Sequence, residues 1–266
     1  MPRLKKEIDL DLLNGVVDTD ELYLVWCEVP WDTAVFGSPV LQISDIKIRG
    51  QGAYSDIKRF ELAREGSGAR LISCRLSHEY LRESMFLEDI GFRFIEMLYQ
   101  PELIFSDSTG SPNYRHLTVA PAVAKDLPLI LDIAGVASRN ERFQLDPRLP
   151  SPLGDQRYQN WVRGILSDSR QRLFILREGE VIISFFITEM LADGTCYWHL
   201  NAIAPEFQGK GYGRRAWLTM MAQAKKEGAT RVRSSIVARN YRVLNLYAKL
   251  GFSFPPPLMT FHWVRS

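Results

Sequence analysis

The chain has 266 residues, of which 46% are apolar, 24% charged and 11% aromatic, enough for one large or two small globular domains with a buried core. That balance excludes a disordered or collagen-like chain. Its 33 basic and 31 acidic residues leave +2, yet Gln208 to Gly251 alone holds ten basic side chains against Glu227, a local +9 that leaves −7 elsewhere; such a block needs an anionic partner or local neutralisation.

Residues 1–21 read as a loose, charged lead-in. Leu22 to Cys27 is strand-like and is broken by Pro30-Trp31-Asp32. Val40 to Ile48 alternates as a strand with one buried face, and Ser55 to Glu65 has helical spacing at Ile57, Phe60, Leu62 and Ala63 before Gly66 and Gly68. A strand over Arg70 to Leu76, a helix over Glu79 to Ile90 ended by Gly91, and a strand over Phe92 to Tyr99 follow. Pro101 to Asn113 mixes Pro, Gly, Ser and Asp and marks a linker, centred on residues 106–115. A first α/β domain is therefore expected over 22–105 and a second over 116–266.

In the second half Val123 to Val136 reads as a helix, Asp146 to Gly154 as a proline-rich loop, and Asp155 to Leu166 as a helix presenting Tyr158, Trp161, Val162 and Ile165. Leu173 to Arg177 and Val181 to Ile187 form a hairpin about Glu178-Gly179, and Asp193-Gly194 turns into a third strand, Cys196 to Ile203. A helix over Gly213 to Glu227, a strand over Arg231 to Val237 and a helix over Tyr241 to Leu250 follow. Phe252 to Phe254 and Leu258 to Val264 are expected to close the domain. RLISCRL, a helix and FLEDIGFRF parallel RVRSSIV, a helix and LYAKLGFSF, with Gly91-Phe92 and Gly251-Phe252 at an offset of 160. This is either a common strand–helix–Gly–Phe pattern or the trace of a degenerate copy.

Cys27, Cys74 and Cys196 are odd in number and unpaired in spacing, as expected of reduced thiols in an intracellular protein. The N-terminus lacks a signal-peptide apolar stretch, and the longest apolar-rich run falls far short of the roughly 20 residues of a membrane span. A cytoplasmic protein with no membrane partner and no metal is expected. Nucleic-acid binding is disfavoured, because no aromatic residues interleave with the basic block.

The most specific stretch is Ile203-Ala-Pro-Glu-Phe-Gln-Gly-Lys-Gly-Tyr-Gly213, an apolar strand running through a glycine-rich loop into a helix. Glycines let the backbone turn sharply, and a helix N-terminus adds its dipole, which together suit a diphosphate. Neither a Rossmann spacing nor a P-loop is present, since Lys210 precedes Gly211. Gln208-x-x-Gly211-x-Gly213, followed by Asn240 and Leu246-Tyr247-Ala-Lys-Leu-Gly251-Phe252, resembles the GNAT family of acetyl-CoA-dependent N-acetyltransferases over the part from His116 onward.

That resemblance implies an α/β (α+β) architecture: a C-terminal GNAT fold with a mixed, mostly antiparallel sheet flanked by helices, after a smaller degenerate GNAT-like domain with an acceptor-side or structural role. It implies that backbone amides of Gly209, Lys210, Gly211, Tyr212, Gly213 and Arg214, with Gln208 in the same motif, hold the coenzyme A diphosphate. Ile203 would pair with the pantetheine arm, Asn240 would bond it near the thiol, and Tyr247 would protonate the leaving thiolate. Tyr247 also fits a plain core position on its helix. For the base, His199 shares strand parity with Asn201 and Ile203 and is the first choice, with Glu189 second.

Trp31-Asp32-Thr33-Ala34-Val35-Phe36-Gly37, and Arg142-Phe143 followed by Arg157-Tyr158-Gln-Asn-Trp161, resemble the dTDP-fucosamine acetyltransferase subgroup. This implies a nucleotide-linked amino sugar as acceptor, with Arg139, Arg142 and Arg157 for its phosphates and Trp161 for stacking. The alternative for the arginines is solvated positions on an amphipathic helix. Alternative functions are acetylation of a peptide N-terminus, polyamine or antibiotic amine, or a non-catalytic acyl-CoA-binding module; a homodimer is compatible with the sequence.

Overall fold

The computed structural model describes residues 12–106, 116–137 and 140–265. Most of the expected lead-in, the linker core and Arg139 lie outside the described residues. The chain divides into two compact units, Met1–Ile95 with Leu258–Ser266, and Glu96–Pro257.

In unit one, strands β1 (Gly15–Asp18), β2 (Leu22–Glu28), β3 (Val40–Ile48), β4 (Leu71–Ser77) and β13 (Leu258–Val264) lie side by side in the order β1-β2-β3-β4-β13. Only β3 and β4 are parallel, and helices α2 (Ala53–Asp56) and α3 (Lys58–Gly66) form the crossover such a pair requires. Helix α4 (Leu81–Asp89) leads to β5 (Arg93–Tyr99), whose residues from Glu96 onward belong to unit two. Three expectations are corrected here. The lead-in contains a strand, β1. Pro30 starts a helix, α1 (Pro30–Phe36), instead of only ending β2, because a first-turn residue has no N–H to contribute to the helix ladder. Leu258–Val264 does not close the second half; it pairs antiparallel with β4, from Leu258↔Ser77 to Val264↔Leu71.

In unit two the strand order is β6 (Glu102–Ile104), β11 (Arg231–Ser234), β10 (Thr195–Ile203), β9 (Val181–Met190), β8 (Gln171–Glu178), β7 (Thr118–Pro121). Only β10 and β11 are parallel. One face packs on α5 (Leu127–Ala137) and α7 (Ser151–Gly164) through Ile130, Ile133, Val162 and Phe185. The other packs on α8 (Tyr212–Lys226) and α9 (Tyr241–Lys249) through Trp217, Met220, Tyr247, Phe186 and Trp198. These are the apolar periods of the sequence, and each such side chain stabilises the fold by roughly 1.5–3 kcal/mol when fully buried. Two further expectations are adjusted: the linker begins with β6, which pairs with β11, and helix α7 starts at Ser151, inside the expected proline-rich loop. A one-turn helix α6 (Arg142–Leu145) precedes α7. Among the described residues, no helix is long and apolar enough to cross a membrane.

Candidate active site

The parallel pairing of β10 with β11 runs from Thr195↔Arg231 to Trp198↔Ser234 and stops. The chain leaves β11 at Ser234 and continues as β12 (Ile236–Val237), which pairs with Leu98 and Tyr99 of β5 instead of with β10. Past Trp198, β10 therefore has a strand neighbour on the β9 side only, among the described residues. Two hydroxyls bridge the parting point: Ser234 Oγ donates to the Trp198 carbonyl at 2.9 Å, and Tyr197 Oη and Ser235 Oγ are 2.6 Å apart.

At the same point β10 bulges. Trp198 faces Thr188 and Leu200 faces Ile187, so His199 is an extra residue against β9. A bulge re-aims side chains. Tyr197 and His199 turn to the α7 face, where the His199 ring meets Tyr197 at 4.7 Å and Trp161 at 5.9 Å. Trp198 and Ile203 pack with the α8–α9 core, and Asn201 reaches Tyr247. The shared parity expected for His199, Asn201 and Ile203 is thus corrected, since the bulge inverts the alternation between His199 and Asn201. Glu189, on the neighbouring strand, lies 2.7 Å from His199 Nε2 through its Oε2. The two residues proposed from sequence as rival bases form one hydrogen-bonded pair, each with about a fifth of its side chain exposed (20% and 19%).

A cavity of about 450 Å³ opens at the parting strands. Its wall contains His199, Ile203, Gln208, Gly209, Gly213, Asn240 and Tyr247, all singled out from sequence. Tyr247 is buried, and burial pushes its hydroxyl up to about 12, with Ser234, Trp217 and Asn201 partly offsetting that rise. Its phenol is neutral at physiological pH, as a proton donor must be. Asn240 occupies the N-cap of α9, where Asn ordinarily bonds the first-turn amides, yet it makes no side-chain cap bond and contributes to the cavity wall.

The glycine-rich loop departs from the expectation in detail. Gly209 and Gly211 adopt φ of 75° and 84°, which L side chains rarely reach, and α8 begins at once with no side-chain cap. Gln208 does not reach into the loop; its side-chain amide donates to the Ile203 carbonyl at 3.0 Å and ties the strand end to the turn. Lys210, Gly211 and Arg214 are exposed beside the cavity and not in its wall. The Tyr212 hydroxyl donates to Glu178 at 2.5 Å and Arg215 pairs with Glu178 at 2.8 Å, so these side chains clamp the first turn of α8 to the end of β8. Arg242 also joins the wall and lies against Gly209.

Three of the block's arginines, Arg215, Arg231 and Arg233, pair with acids from elsewhere in the chain. Glu102 on β6 pairs with both Arg231 and Arg233, which the sequence left unexplained, whereas Glu227, the block's own acid, pairs at 2.5 Å with Arg172 outside it. Arg142 and Arg157 lie against the Phe143 ring at 4.4 and 4.9 Å and are not part of the cavity wall. Trp161 donates to Gln171 at 2.9 Å and borders His199 without lining the cavity. Sequence reasoning missed Glu141 and Ser235 as wall residues, and read Trp217 only as core. No local pattern marks them, because strand and helix ends bring them together.

The sequence pattern of the acetyltransferase (GNAT) family matches residues 137–252. That segment is a GNAT acetyltransferase domain. The family transfers acyl groups from acetyl-CoA. No curated protein matches the chain significantly in sequence. Among solved structures, the chain is similar to a conserved protein of unknown function from Staphylococcus epidermidis, at TM-score 0.67 and 11% identity over 98% of this chain and 97% of that one. A GCN5-related N-acetyltransferase from Kribbella flavida gives 0.60 and 14% over 96% and 91%. A tandem GNAT protein from the clavulanic acid biosynthesis pathway gives 0.58 and 10% over 91% and 77%. At such identities the likeness is one of fold, and the fold is tandem and GNAT-like. Nothing in these comparisons points to the dTDP-fucosamine subgroup.

Proposed function

We propose that the GNAT domain transfers acetyl from acetyl-CoA to a primary amine by direct attack, in the cavity where β10 parts from β11. The observation that carries this reading is the convergence of Tyr247, Asn240, His199 and the Gly209–Gly213 turn on that one cavity. First-turn amides of α8, which no N-cap side chain covers, together with Arg242 suit the diphosphate, the β10 edge through Ile203 suits the pantetheine amides, and Asn240 suits the arm near its thiol. His199, held by Glu189, takes the proton from the attacking amine directly or through water. As nitrogen bonds to the acetyl carbon and the carbon–sulfur bond breaks, Tyr247 gives its proton to the departing thiolate. Backbone N–H groups at the bulge suit the oxyanion of the tetrahedral intermediate.

For the acceptor, we take the amino group of a nucleotide-linked amino sugar as the first candidate, on the strength of the Trp31–Gly37 and Arg142–Trp161 resemblance. Arg142 and Arg157, turned onto Phe143, add no support for its phosphates. The deciding experiment measures coenzyme A release with a panel of nucleotide-linked amino sugars, peptide N-termini, polyamines and antibiotic amines. Turnover confined to the other amines overturns the sugar acceptor. Coenzyme A binding with no turnover on any amine favours the non-catalytic module.

A further inference from the structure

The two units repeat each other more closely than the shared Gly–Phe pattern requires. The parallel pair β3–β4 runs from Val40↔Leu71 to Ile43↔Cys74, as β10–β11 runs from Thr195↔Arg231 to Trp198↔Ser234. In each unit the first strand bulges at the next residue, Ser44 against β2 and His199 against β9. Helices α4 and α9 both have nine residues, with Tyr80 and Asn240 in matching N-cap conformations. Each helix is followed by a glycine of positive φ, Gly91 at 93° and Gly251 at 85°. Ile48 thus corresponds to Ile203, and Gly52 precedes α2 where Gly211 precedes α8, although after a shorter loop and with φ of −69° against 84°.

Unit one satisfies its own backbone groups here, with two acidic side chains, an arginine and one carbonyl. The Glu21 carboxylate accepts from the Gly52 N–H at 2.8 Å, while the Glu21 carbonyl accepts from the Arg49 and Gly50 N–H groups at 2.8 and 3.1 Å. A Cβ on Gly50 would fall 1.8 Å from Glu21 Oε2, so the carboxylate fills the hollow of the loop. At the end of β3, the Ile48 N–H donates to Glu83 at 3.0 Å and its carbonyl accepts from Arg82 at 3.3 Å. Arg82 and Glu83 hold the α4 positions that Arg242 and Val243 hold on α9. The chemistry is missing as well: Leu87 stands for Tyr247 and Ser44 for His199.

We infer that unit one is a self-liganded copy of unit two, in which Glu21 replaces the diphosphate and the Arg82–Glu83 pair replaces the pantetheine amides, so that the chain takes one acetyl-CoA. The stoichiometry rests on the coenzyme A placement proposed for unit two; the role of the carboxylates does not. Two measurements on the full chain test it. Calorimetric titration with coenzyme A is expected to give one site per chain, and two sites overturn the inference. Glu21→Ala is expected to lower the melting temperature by about 3–6 °C, because the half-buried Gly52 N–H loses its carboxylate acceptor and the hollow of the loop is emptied, while KM for acetyl-CoA stays within twofold. Glu21→Gln, which keeps an acceptor oxygen, is expected to lose at most half of that, and it serves if the alanine variant does not fold. An unchanged melting temperature, or a more than fivefold change in KM, overturns the inference. A titration with no binding overturns the coenzyme A placement instead, and the melting temperatures still decide the role of Glu21.

Discussion

Glu189 Oε2 lies 2.7 Å from His199 Nε2 across two adjacent strands, a contact that exists because β10 bulges at His199. If the two act as one unit, their effects are not additive. We expect His199→Ala to lower kcat about 100-fold and Glu189→Ala about 10-fold, with the double variant no worse than His199→Ala. Additive losses in kcat would show that the residues act separately.

Tyr247→Phe removes the hydroxyl proposed as proton donor while keeping its ring among Trp217 and Phe252, at 6.0 and 4.8 Å. Expected are a 10- to 100-fold loss of kcat and a KM for acetyl-CoA within about twofold. Full activity in steady-state assays would remove Tyr247 from the chemistry.

Burial also makes stability depend on alkaline pH. It pushes Tyr247 up to about 12 and Cys196 up to about 11, so the folded state favours their neutral forms. For a folded value above the unfolded one, the contribution is complete below the unfolded value and is lost as pH rises through the folded one. The unfolding free energy is expected to decline from about pH 9 towards pH 12, with Tyr247 accounting for on the order of 2–3 kcal/mol. Urea midpoints for wild type and Tyr247→Phe, compared between pH 8 and 11, check this; the variant's decline should be shallower.

Asn240 gives a sharper contrast. An Asn that caps a helix costs about 1 kcal/mol when replaced by Ala. Because Asn240 makes no cap bond, Asn240→Ala should leave the melting temperature nearly unchanged and raise KM for acetyl-CoA several-fold. Loss of stability with unchanged KM would assign Asn240 to the helix and not to the cofactor.

Gly211, at φ 84°, has open space where a Cβ would sit, so Gly211→Ala tests backbone conformation and not packing. A cost of about 1–2 kcal/mol is expected from the left-handed region, with a raised KM for acetyl-CoA as the turn distorts. Unchanged kinetics and stability would show that the loop tolerates another conformation.

The helices and strands lining the cavity were legible because their signals are local: Trp217, Met220 and Met221 recur at helical spacing, and Gly228 and Gly251 end helices where the backbone turns left-handed. Gln208, Gly211, Gly213, Asn240 and Tyr247 were legible as a spaced pattern. Other features depend on residues far apart in the chain. The bulge at His199 needs β9 as its reference, Glu102 reaches Arg233 across 131 residues, and Leu258–Val264 finds β4 more than 180 residues earlier.

Charge shows the same division. The sequence by itself determined a +9 block around a glycine-rich turn, and so a half of the chain suited to an anionic cofactor. Only the tertiary structure decided which of those charges are already matched, by Glu178 and Glu102, and that Glu21 and Glu83 close the corresponding loop of the first unit. Periodicity and turn chemistry act over a few residues, whereas strand register and ion pairing are set by which distant segments the folded core brings within a few ångströms.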